Sequence, residues 1–137
     1  MRLLFLFSAA IGGLVFAAPA QAGGSDSGGF RISLTIPVAC DLEANDFFLD
    51  PNSGTVVGEV AESCNSNRGF QILASHRPLA ENEAVDVNYG TQQASLDGSG
   101  LSAIAFRYGA RHGSVPVSIT PVRLVEAISV SFSLTAV

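Results

Sequence analysis

The last ten residues, Ile128-Ser129-Val130-Ser131-Phe132-Ser133-Leu134-Thr135-Ala136-Val137, alternate with a period of two. In an extended chain successive side chains point to opposite faces. Ile128, Val130, Phe132, Leu134 and Ala136 then share one side, and Ser129, Ser131, Ser133 and Thr135 share the other. A helix would scatter these apolar residues around its circumference, so the stretch reads as a strand with one apolar and one mostly hydroxyl face. Further strands are expected at Val115 to Val125, Leu101 to Tyr108, Val85 to Tyr89, Phe70 to Ala74, and the β-branched run from Thr55 to Val60 that leads to Cys64. Turn clusters separate them: Asp50-Pro51-Asn52-Ser53-Gly54, Asn65-Ser66-Asn67-Arg68-Gly69, Gly90, Asp97-Gly98-Ser99-Gly100, and Gly109 to Gly113.

The same alternation occurs near the other end. Phe30, Ile32, Leu34 and Ile36 fall on one face and Arg31, Ser33, Thr35 and Pro37 on the other, continuing through Val38 towards Cys40. This too reads as a half-buried strand. Ala80 to Ala84 offers at most one helical turn. Together these features predict an all-β chain, an immunoglobulin-like antiparallel β-sandwich of about seven strands.

The 137 residues are 47% hydrophobic and 14% charged, with a net charge of −5. Part of the hydrophobicity belongs to residues 1–22, where Arg2, an uncharged apolar run from Leu3 to Ala18, and Pro19-Ala20-Gln21-Ala22 have the layout of a secretory signal peptide cut after Ala22. The apolar run is shorter than the ~20 residues of a membrane span. Residues 23–29 are expected to be a flexible Gly/Ser lead, and 30–137 suffice for one β-sandwich domain. The chain is expected to be exported, with no membrane span once the signal is cleaved.

Beyond the leader, six Arg face 12 Asp plus Glu without a basic stretch, so nucleic acid is not an expected partner. The chain contains no Lys, which rules out lysine Schiff bases, a P-loop and lysine-dependent cross-links. Cys40 and Cys64 are the two cysteines. In an exported chain they are read as one structural disulfide, in preference to free thiols or a metal pair completed by His76 or His112.

No catalytic constellation stands out. His76 and His112 lie in turn-like surroundings and read as exposed, and Gly98-Ser99-Gly100 reads as a flexible turn, not a nucleophile elbow. The acids Asp41, Glu43, Asp46 and Asp50 fail as an EF-hand, which needs Gly and Glu where Asp46 and Asn52 stand. Phe47, Phe48 and Leu49 interrupt them and read as a core plug. Arg107, Tyr108 and Arg111, with His112 nearby, form a candidate patch for an anionic sugar or a partner carboxylate. No cofactor, metal site or enzymatic activity is expected.

The signal peptide, the alternating strand running into the first cysteine (Phe30 to Cys40), the second cysteine between a β-branched strand and a polar turn (Val56 to Asn65), and the closing alternating strand make the chain resemble pilin-like subunits of chaperone-usher systems. That group includes the spore coat protein U family and fimbrial subunits. The resemblance implies a Cys40–Cys64 bridge and contact of Ile128, Val130, Phe132 and Leu134 with a chaperone or an incoming strand. It also implies a periplasmic chaperone, an outer-membrane usher and like subunits as partners. Phe30, Ile32, Leu34 and Ile36 are candidates for a donor strand, or else for the domain's own first strand. The expected function is an exported structural subunit of a surface or extracellular polymer. The alternative is a self-contained periplasmic or secreted binding module for a sugar or protein.

Overall fold

The computed structural model describes Gly29 and residues 31–137. The expected signal peptide, most of the flexible lead and Phe30 lie outside the described residues. Those described contain nine strands and no helix: β1 (Cys40–Glu43), β2 (Phe47–Leu49), β3 (Val56–Cys64), β4 (Phe70–Ser75), β5 (Ala84–Tyr89), β6 (Gln92–Ser95), β7 (Leu101–Arg107), β8 (Arg111–Arg123) and β9 (Ile128–Ala136). They form a β-sandwich of two antiparallel sheets, in the orders β1-β3-β8-β5-β6 and β2-β9-β4-β7. The sandwich lies within Thr35–Val137. Ala80 to Ala84 contains a turn closed by Glu83 N–H donating to Ala80 O.

Period-two patterning accounts for the core. Val60 and Cys64 point inwards from β3, Val85, Val87 and Tyr89 from β5, and Val115, Val117 and Ile119 from β8. Leu49, Phe70, Ile72, Ala74, Ile128 and Val130 meet them from the second sheet, all buried. Full burial of one such aliphatic or Phe side chain is worth about 1.5–3 kcal/mol. The strands beyond the expected seven are short. Tyr89 pairs with Gln92 across Gly90-Thr91; Gly90 has φ 60° and, among the described residues, no non-glycine residue has positive φ, which fits a type II′ hairpin with glycine first. Phe47 and Leu49 plug the core as expected, while Phe48 between them is 65% exposed, making this plug a strand.

The N-terminal alternation behaves otherwise. Residues 31–39 belong to no strand, and Ile32, Leu34, Ile36 and Val38 are 79%, 80%, 69% and 61% exposed. The expected half-buried strand is therefore corrected: ladder pairing begins only at Cys40. Periodicity reports a strand-competent segment, and a partner edge is a separate requirement. Cys40 stands directly opposite Cys64, and the two form the predicted disulfide with their Cα atoms 4.0 Å apart. Asn65 reinforces this junction. Its Oδ1 accepts from Ala39 N–H at 2.7 Å, its Nδ2 donates to Pro37 O at 2.9 Å and its own N–H donates to Ala39 O at 3.1 Å.

A second junction holds the turn that delivers β9. Arg77 donates to both carboxylate oxygens of Glu83 at 2.7 Å, to Glu126 O at 2.6 Å and to Ala127 O at 3.1 Å. Glu83 in turn accepts from the Ala80, Val125 and Glu126 amides. With the Arg77 guanidinium as the main cause and these amides assisting, its carboxyl is held far below the usual range. The loop after β4 is thereby fastened to residues 125–127 just ahead of Ile128.

Candidate functional site

Two features stand out, an incomplete sheet edge and a cationic groove. The edge belongs to β9. On one side β9 pairs with β4 from Ser131↔Ser75 to Ala136↔Phe70. On the other, β2 covers only Val130, Ser129 and Ile128. Among the described residues nothing pairs with that side of Ser131–Ala136. In an antiparallel strand alternate N–H and C=O groups point to each side, so part of the backbone here lacks a ladder partner.

Side-chain cover fades along the same line. Ile128 and Val130 are buried, Phe132 and Leu134 half-buried, and Ala136 exposed. Of the four residues expected to meet a chaperone or incoming strand, Ile128 and Val130 already have β2 on their edge. Phe132 and Leu134 stand at the open part. Phe132 packs edge-on against Phe47, ring centroids 5.6 Å apart, and tilted against Tyr89 at 5.9 Å. Gly58 permits this arrangement, since a Cβ there would lie 2.7 Å from Phe47 Cε1. Asp46, just ahead of β2, accepts from Ser131 Oγ at 2.6 Å, where the open edge begins.

The groove lies where β7 ends and β8 begins. It has a volume of about 680 Å³, and its lining includes Glu62, Gly90, Thr91, Arg107, Arg111, His112 and Ser114. Arg107 and Arg111 are thus brought together. Tyr108 is not part of the lining: it is 80% exposed and packs edge-on against Phe106 at 4.8 Å. Arg107 also bridges the sheets, its Nε 3.3 Å from the Glu62 carboxylate and its guanidinium carbon 5.1 Å from the Tyr89 ring centroid. Tyr89 donates its hydroxyl to Glu62 Oε2 at 3.0 Å. Burial pushes the Tyr89 phenol well up, and the Glu62 charge pushes it further, so it stays a donor. Glu62 and Tyr89 were not singled out in the sequence, yet both carry a signal: each occupies an inward position on a strand of otherwise apolar inward residues.

His76 is half-buried, not exposed as expected. Its Nδ1 is 2.6 Å from Arg77 O and its Nε2 is 2.8 Å from Ser102 Oγ. A carbonyl only accepts, so Nδ1 carries a proton, and in the neutral ring Nε2 accepts from the serine. Asp97 N–H donates to the same Oγ at 2.8 Å. This is the orientation of a nucleophile and base, but Ser102 is 1% exposed, and its hydroxyl is spent on His76 and the Asp97 amide inside the fold. The pair joins the loop after β4 to the start of β7, and the Asp97 amide ties in the loop before it. Hydrogen bonds from the Ser99 hydroxyl and amide hold the Asp97 carboxyl below its ordinary value.

The early acids also separate. Asp41 and Glu43 lie exposed on β1, while Asp50 accepts from the Asn52 amide within its turn. Among the described residues no three His, Cys, Asp or Glu side chains converge as metal ligands, and no helix is long and apolar enough to cross a membrane. Comparison of the chain with protein-family models, curated proteins and solved structures finds no match.

Proposed function

We propose that this chain is an exported, noncatalytic structural subunit of a surface or extracellular polymer, assembled by β-strand complementation. The observation that carries the reading is the open side of β9 from Ser131 to Ala136, where apolar cover is incomplete. Supporting it is a segment of matching pattern and length: Ile32, Leu34 and Ile36 alternate, are exposed and belong to no strand. Added beside β9 of a second copy, that segment supplies backbone partners to the open edge and apolar side chains to Phe132 and Leu134. The resemblance to chaperone-usher subunits favours the same reading and implies a periplasmic chaperone and an outer-membrane usher as assembly partners.

The test is a peptide copying Phe30 to Ile36, added to the purified disulfide-bonded chain. Tm should rise and self-association should fall as the peptide occupies the edge. A peptide with Leu34→Asp should do neither, because it brings a charge to the apolar face. A chain that is a stable monomer and is indifferent to both peptides overturns the proposal.

A further inference from the structure

We propose that the groove between β7 and β8 is a carboxylate-binding site of a size and polarity suited to a sugar acid. Its centre is Arg107, whose side chain is 11% exposed. Of its five N–H donors only the one on Nε meets a protein acceptor among the described residues, the Glu62 carboxylate at 3.3 Å. No buried side-chain nitrogen or oxygen there lacks a partner, so Nη1 and Nη2 keep access to solvent. A Cβ on Gly90 would lie 3.2 Å from Val115 Cγ1, 3.4 Å from Nη2 and 4.0 Å from Nη1; glycine keeps this approach to the guanidinium free of a side chain. The result is a planar donor fork, fixed from behind by Glu62 and the Tyr89 ring, that lines the groove beside Gly90.

Charge selects the ligand. Glu62 contributes −1 and Arg107 and Arg111 +1 each, so the lining sums to +1 on a chain whose net charge is −5. A monoanion balances that charge. A phosphate dianion would overshoot it beside a Glu62 carboxylate that is 3% exposed. A planar carboxylate also matches the guanidinium fork in a bidentate pair. The volume of about 680 Å³ falls in the range of small-molecule sites, and Thr91 and Ser114 provide hydroxyl partners for a polyol.

Titration of the disulfide-bonded chain with D-glucuronate, D-glucose, acetate and a neutral peptide with a free C-terminal carboxylate, followed by amide NMR, tests this site. Glucuronate should shift Gly90, Thr91 and the Arg111–Ser114 amides saturably and bind tightest; glucose should leave them unmoved. Arg111→Gln, at an exposed position, should weaken glucuronate about tenfold, as should Arg107→Lys, which keeps the charge and loses the fork. The proposal is overturned by an absence of saturable shifts, by glucose, acetate or the peptide binding as well as glucuronate, or by an unchanged affinity in Arg111→Gln. Strand addition at β9 uses none of these residues, so a negative result leaves that proposal standing.

Discussion

Two stretches share one pattern and have different fates. Ile128 to Ala136 is a strand with Ile128 and Val130 fully inside the core, while Ile32 to Val38 belongs to no strand and its apolar residues are at least 61% exposed. What differs is the surrounding chain. β9 is delivered by a turn that Arg77 and Glu83 fasten, beside the six-residue β4. Among the described residues, the N-terminal stretch is anchored at its C-terminal end, by Asn65 and the disulfide. Alternation therefore marks competence to pair, and tertiary anchoring decides whether a strand pairs within its own chain.

Breaking the anchor should have the largest effect. Cys40→Ala with Cys64→Ala opens a loop of 25 residues (40–64 inclusive) and should cost about 3.5 kcal/mol by the chain-entropy relation. Chemical denaturation checks the value, and hydrogen exchange should show the unpaired region extending into β1. Next comes a direct contrast of the two stretches. Ile128→Ala should cost about 3 kcal/mol as a buried cavity, whereas Ile32→Ala should change monomer stability by less than about 0.5 kcal/mol. Equal costs would show that the N-terminal stretch is packed in the monomer.

Phe132→Ala should fall between these, at about 1.5 kcal/mol, because its ring is only half-covered. The smallest effect concerns the delivering turn and appears in acid. The Glu83 carboxyl sits below its unfolded value, so its stabilising contribution is fully present above the unfolded carboxylate pKa of about 4.3 and is lost as pH falls towards the lower folded value. Glu83→Gln should flatten that acid limb in a series of Tm measurements while leaving the assembly of a chain that still folds intact. An unchanged acid limb would mean that Arg77 and Glu83 do not anchor the turn in solution.

Much of the sandwich is legible from period-two patterning, since inward apolar residues such as Val85, Val87, Ile128 and Val130 mark the core directly. The disulfide follows from having two cysteines in a chain whose leader reads as a signal for export. The open half of β9 is not legible, because it depends on β2 being three residues long and on where its register ends. The same limit applies to the groove. Arg107 and Arg111 are visible as a sequence pair, but their meeting with Gly90 and Glu62 depends on strand order, and Arg77 with Glu83 joins two loops that no periodicity links.

The disulfide also has a mechanical consequence. A pull on residues ahead of Cys40 does not peel β1 from the sheet, because the sulfur bridge passes the load directly to Cys64 at the end of β3. There it acts along a strand paired over nine positions with β8, so many hydrogen bonds are loaded together in shear instead of breaking one by one. In a fibre joined end to end through that segment, each subunit would bear tension through the middle of its larger sheet.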